Sequence, residues 1–131
     1  MISTRGRYAI RVMLDLARDS SGSLIPLKAI ADSEGISKKY LEIIVRDLVA
    51  GELIEGVSGK GGGYRLRRRP DQYSVGEILE LTENSLSSVS CLAADSNDCP
   101  RKEICPTLPM WEELDQLVHD FFYSKKLSDL I

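Results

Sequence analysis

Three cysteines, Cys91, Cys99 and Cys105, carry the strongest chemical signal in this 131-residue chain. Their spacing, Cys91-x7-Cys99-x5-Cys105 with Pro106 closing the run, would let three thiolates in one polar loop converge on a soft metal centre. It is unlike the CxxC knuckles of zinc fingers, which disfavours zinc without removing it. An odd cysteine count argues against a closed disulfide framework and suits a reducing compartment. Two blander readings stand beside the metal centre: a redox-switched pair such as Cys99–Cys105, and plain buried thiols. Cysteine catalysis would need a nearby base. The only histidine, His119, lies on the polar side of a predicted helix, on the order of 20 Å from Cys105 along a continuous helix. No enzyme is expected.

A second set of residues suits nucleic acid, and the elements that must position it read as two short helices and a turn. Pro26 fits a first helical position, and Leu27, Ile30 and Ala31 share a face. Gly35 supplies a tight turn and Ser37 an N-cap. Leu41, Ile44, Val45 and Leu48 then recur at helical spacing as a buried stripe, with Gly51 as the stop. This is a helix-turn-helix layout, or an αα-hairpin that merely packs a core. The outward face favours DNA, because Lys39, Ile43 and Arg46 lie opposite the stripe with Lys38 and Glu42 beside them.

Around that pair the chain supplies supports. Residues 3–19 form a helix with Ile10, Met13, Leu14 and Ala17 as its apolar stripe. Thr4, Arg5 and Arg7 stand at its start, where hydroxyls, cations and free N–H groups can hold a phosphate. Residues 53–57 and 64–67 are strand-like around a glycine-rich turn that carries Lys60, the pattern of a wing. A phosphate-cradling P-loop is excluded, since Gly-x4-Gly-Lys-Ser/Thr is absent and no helix follows. Ser74-Val-Gly-Glu77 is a capping box for a further helix with Val75, Ile78 and Leu81 on one side. From Leu108 a last helix shows Met110, Trp111, Leu114, Leu117, Val118, Phe121 and Phe122 on one broad face. So much apolar surface at the end of a small domain calls for a second copy of the chain, or for a fold back onto its own domain.

The formal net charge is −3, yet residues 1–70 hold 13 Lys and Arg against 8 Asp and Glu, and residues 71–131 hold 4 against 12. A basic front can meet phosphate whatever the total. No apolar run approaches 18 residues and no secretory pattern opens the chain, so no membrane is expected and the cytoplasm is.

Ser3-Thr-Arg-Gly-Arg-Tyr-Ala9, Gly35-Ile-Ser-x-x-Tyr-Leu-Glu42, Gly61-Gly-Gly-Tyr64, Ser74-Val-Gly-Glu77 and the cysteine loop together resemble the Rrf-two family of bacterial regulators, over nearly the whole chain. The resemblance implies a homodimeric winged-helix transcription factor on double-stranded DNA. Many members hold an iron-sulfur cluster on three cysteines as a sensor. It assigns Lys39, Tyr40 and Glu42 to base reading, and sets Ile43 and Ser58 where other members carry a glutamine and a wing arginine. An outward isoleucine suits a thymine methyl group. The fourth cluster ligand stays open. Leu108 and Arg7 stand where other members place one, and Asp95, Asp98, Glu103 or solvent remain.

The expected protein is mainly α. A winged helix-turn-helix with a two-stranded β wing spans residues 1–83, a cysteine-bearing sensor loop 84–106, and a dimerisation helix with a C-terminal tail 107–131. It would repress from a pseudo-palindromic operator and sense cluster supply, iron, nitric oxide or redox state through a four-iron or two-iron iron-sulfur cluster. The alternative is a cluster-free winged-helix regulator acting by a thiol switch or protein–protein contact, for instance in cysteine metabolism.

Overall fold

The computed structural model describes residues 2–19, 21–83, 86–87 and 104–131. Among these, five α-helices surround a small hairpin: α1 (Thr4–Arg18), α2 (Leu27–Glu34), α3 (Lys38–Ala50), β1 (Ile54–Val57), β2 (Gly63–Leu66), α4 (Val75–Glu83) and α5 (Leu108–Ser124). The architecture is the expected one. No described helix is long and apolar enough to cross a membrane.

Ser3 caps α1, its Oγ accepting the Gly6 N–H at 3.1 Å. The deep face of α1 is Ala9, Val12, Met13 and Leu16, while Ile10, Leu14 and Ala17 are only half-buried beside it. The buried stripe is thus rotated by one residue from the expected one. Packing against α2 and α3 on one side and α4 on the other widens the apolar arc, so helical spacing alone fits two registers equally well.

Pro26 is the N-cap of α2 and not its first residue, with φ −62° and ψ 148°. Gly35 makes the turn in the left-handed region at φ 66°, as expected of a residue with no Cβ. In α3 Ser37 Oγ accepts the Tyr40 N–H at 3.2 Å, and Leu41, Ile44, Val45 and Leu48 are all buried. Gly51 ends α3 as expected, but not through a left-handed turn of its own. Gly51 has φ −83° and the left-handed residue is Glu52, at φ 60°. Gly51 is instead a close approach: a Cβ there would lie 2.5 Å from Leu81 Cδ2.

The wing is antiparallel, pairing Ile54 with Leu66 through Val57 with Gly63. A third, single-residue strand joins it, since Ile25 and Tyr64 exchange N–H···O bonds of 2.8 and 2.9 Å. Tyr73 locks the base of the hairpin. Its buried hydroxyl donates to the Leu53 carbonyl at 2.6 Å and accepts from the N–H groups of Arg67 and Arg68. The capping box forms in both directions: Glu77 N–H to Ser74 Oγ at 3.1 Å, and Ser74 N–H to Glu77 Oε2 at 3.0 Å.

Of α5, about 25 Å long at 1.5 Å per residue, no residue is buried within the chain. It is fastened at its C-terminal end, where the Tyr123 hydroxyl donates to Glu80 Oε2 at 2.6 Å and its ring fills the space left by Gly76. Beyond it the chain returns to the winged-helix core. The Val75 N–H bonds the Lys125 carbonyl, the Leu127 N–H bonds the Tyr73 carbonyl, and Leu127 is fully buried. Sequence patterning gives no hint of that return, because three apolar residues in a seven-residue tail are too few to set a period.

Candidate nucleic-acid interface

The N-cap at Ser37 and the buried stripe of α3 fix which side chains face out. Lys38, Lys39, Glu42, Ile43 and Arg46 are exposed, and none of the four charged ones enters an ion pair among the described residues. Tyr40 is half-buried, its ring edge-on to Tyr8 at 5.7 Å between centroids, so it presents only a rim. Between α3 and the wing runs a groove of about 570 Å³, lined among others by Glu42, Arg46, Val57, Ser58 and Tyr64. Lys60 stands exposed at the wing tip, in a turn that two glycines at φ 93° and 79° make possible. Of the expected residues, Glu42 and Arg46 of α3 and Ser58 of the wing line that groove. Its shape offers an exposed helix face and a projecting hairpin, the parts a winged helix uses on a duplex.

The helix start at residues 4–7 is arranged differently. Glu83, at the end of α4, accepts hydrogen bonds from both the N–H and the hydroxyl of Ser3, at 2.9 and 2.7 Å. A carboxylate thus sits where the N-terminal N–H groups would draw a phosphate. Arg5 forms an ion pair with Asp47 of α3. Arg7 and Thr4 are exposed and bonded to one another at 3.2 Å. Sequence spacing does not single out Glu83 or Asp47. Gly6 is the available clue, since a glycine in a first helical turn is a poor helix former and here admits the carboxylate. Arg11 is likewise not marked by any motif; it pairs with Glu34 at 3.1 Å and lies over Tyr8, bracing α1 against α2.

Two carboxyls near these helices are perturbed. Burial pushes Asp15 above the usual carboxylate range, with the Ser33 hydroxyl at 3.2 Å pulling the other way. Asp19 is held below that range by hydrogen bonds from Ser21. Desolvation, reinforced by Glu80, pushes the Tyr123 phenol up to about 12.

Of the sensor residues, Cys91 and Cys99 lie outside the described residues, as do Asp95, Asp98 and Glu103. Cys105 is half-buried just before α5, its Sγ 3.3 Å from Thr107 Oγ1. His119 is exposed, stacked on Tyr123 at 4.5 Å. No group of three or more potential ligands converges among the described residues. On α5, Met110, Leu117 and Phe121 are 52%, 62% and 56% exposed, while Trp111, Leu114, Val118 and Phe122 are half-buried.

Known proteins share this fold. Residues 2–131 match the family model Rrf2, described as an iron-dependent transcriptional regulator. The HTH-type transcriptional regulator IscR of Sodalis glossinidius is 33% identical over 130 residues, covering 99% of this chain and 78% of that protein. CymR, the global cysteine regulator of B. subtilis, superposes with a TM-score of 0.78 at 32% identity, covering 99% of this chain and 95% of the other. T. potens IscR superposes at 0.77 with 28% identity, covering 99% and 85%. With the winged-helix fold, the exposed cationic α3 face and these relatives together, the chain belongs to the Rrf2 (Rrf-two) family of transcriptional regulators and not to a family of enzymes.

Proposed function

We propose that this chain is a cytoplasmic homodimer that binds a pseudo-palindromic operator as a repressor and senses iron-sulfur status through Cys91, Cys99 and Cys105. The observation that carries the DNA reading is the groove between α3 and the wing, lined by Glu42, Arg46 and Ser58, together with exposed Lys38, Lys39 and Lys60 on the same helix and hairpin; the charged residues of this set form no ion pair among the described residues. In this reading the α3 face reads base edges in a major groove, Ile43 meets a thymine methyl, and Thr4, Arg7, Ser58 and Lys60 meet backbone. Arg5 acts indirectly, holding α3 through Asp47.

The donor set fits an iron-sulfur cluster in kind, since three sulfurs are the ligands such centres take. Cys105 supports this reading, being half-buried with the Thr107 hydroxyl 3.3 Å from its sulfur and lying just before the N-terminal end of a helix, which favours negative charge. A bound cluster would supply a charge centre sensitive to oxidation, nitric oxide and iron supply. The chain's own part is mechanical: Cys105 opens α5, and α5 is fastened to α4 by Tyr123 and Glu80. Strain on the cysteine segment therefore bears on the head, and through a second copy of α5 on the spacing of two heads.

Iron and acid-labile sulfide analysis after anaerobic purification tests the sensor. A brown protein that turns colourless in Cys91→Ala, Cys99→Ala and Cys105→Ala supports it. A colourless, zinc-loaded wild type contradicts it. A thiol switch at Cys99 and Cys105 is the second reading, favoured by the likeness to Staphylococcus aureus CymR in its oxidized form, with a TM-score of 0.74 at 32% identity.

A further inference from the structure

The wing separates two clefts. One faces α3. The other, about 560 Å³, lies between the exit of β2 and the loop from α1 to α2, and is lined by Arg65, Arg67, Arg68 and Arg69. Four arginines in five positions form the densest positive charge in the sequence. Their duties differ. Arg68 lies over the Tyr73 ring at 4.7 Å and pairs with Glu77 at 2.9 Å, so it holds the turn. Arg65 pairs across the hairpin with Glu55. Arg69 meets Asp71 at 3.4 Å with side chains 75% and 54% exposed, and a pair so solvated is worth little. Arg67 is exposed and has no ion pair among the described residues.

The backbone beneath these cations is rigid. The N–H groups of Arg67 and Arg68 donate to the buried Tyr73 hydroxyl at 2.9 and 3.0 Å. Asp19, the acidic residue in the lining, has its carboxylate engaged by the N–H and hydroxyl of Ser21. A pinned strand exit that presents uncommitted guanidinium groups is suited to phosphate oxygens, which they bind bidentately.

We infer that this outer face of the wing grips the phosphodiester backbone of the operator duplex, beyond the half-site that α3 reads. The inference rests on the DNA reading above. A duplex is the occupant because the cleft opens to solvent, is lined by four arginines, and belongs to the same hairpin that carries exposed Lys60 at its tip.

The test uses one duplex selected by the full-length protein from random sequence, made in two lengths. One is trimmed to the half-sites, and one carries a further helical turn of about ten base pairs at each end. The wild type binds the longer duplex tighter and with a steeper salt dependence. Arg67→Ala lowers the slope of log K against log salt on the longer duplex by about 0.9 for each phosphate it no longer neutralises, and leaves the trimmed duplex unchanged; Arg69→Ala acts in the same direction. Arg46→Ala weakens both lengths. No length effect in the wild type, or an Arg67→Ala loss equal on both duplexes, would overturn the flanking grip alone. Failure to select any duplex would overturn the DNA reading with it.

Discussion

A methyl group at position 6 would press into the Glu83 carboxylate and within 3.2 Å of Leu79 Cδ2. The glycine, the carboxylate and the Ser3 cap are one device that seals the start of α1 onto the end of α4. Charge-assisted hydrogen bonds of this kind contribute about 1.5–3 kcal/mol. Glu83→Gln should therefore destabilise the fold by about 1–2 kcal/mol, measured by urea unfolding, and Gly6→Ala by a similar amount because it evicts the same carboxylate. The double mutant should cost clearly less than the sum, since both changes remove the same interaction. Strict additivity would mean that the carboxylate does not bind there in solution. This device is poorly legible in the sequence. Positions 3 and 83 are far apart, and no local pattern announces a tertiary hydrogen bond.

At the level of elements, neighbouring residues at the end of α3 should respond in opposite directions. Gly51→Ala pushes a Cβ into both Leu81 methyl groups and should destabilise by about 1–3 kcal/mol. Glu52→Gly relieves a left-handed backbone on a residue with a Cβ and should raise stability by up to about 1 kcal/mol. Thermal unfolding of the two variants checks both signs. The helix-turn-helix is legible because Ser37, Gly35 and the α3 stripe each carry a local cause for what they do. The stop is legible as a place, but the reason for its glycine is Leu81, which the local sequence cannot show. Tyr123 has no place in the apolar spacing of its helix, yet it carries the join between α5 and α4. Its phenol is raised from its ordinary 10.0 to about 12. The stability it contributes is full below pH 10 and is lost as pH rises through 12. Tyr123→Phe should remove that part of the alkaline loss, read as urea midpoints across the window.

The molecule as a whole divides its labour between a head that carries the buried core and an outlying helix that does not. The helix α5 buries none of its residues in its own chain, and its exposed Met110, Leu117 and Phe121 lie along one line. Leu117→Glu should therefore yield a folded monomer by sedimentation, with unchanged circular dichroism and weakened operator binding. A dimer that survives the change would move the interface elsewhere. The apolar face is legible from spacing, whereas the closure of the tail through Leu127 is not, being carried by backbone bonds to Tyr73 and Val75. The central claim is that chemistry at the three sulfurs changes how the head holds DNA. The direct measurement is the affinity of one preparation for its selected operator, anaerobically, before and after iron removal. Wild type should change affinity by about 5- to 150-fold between the two states, the range of a coupling of about 1–3 kcal/mol, and Cys105→Ala should not change. Equal affinity of the iron-loaded and iron-free wild type would contradict the claim.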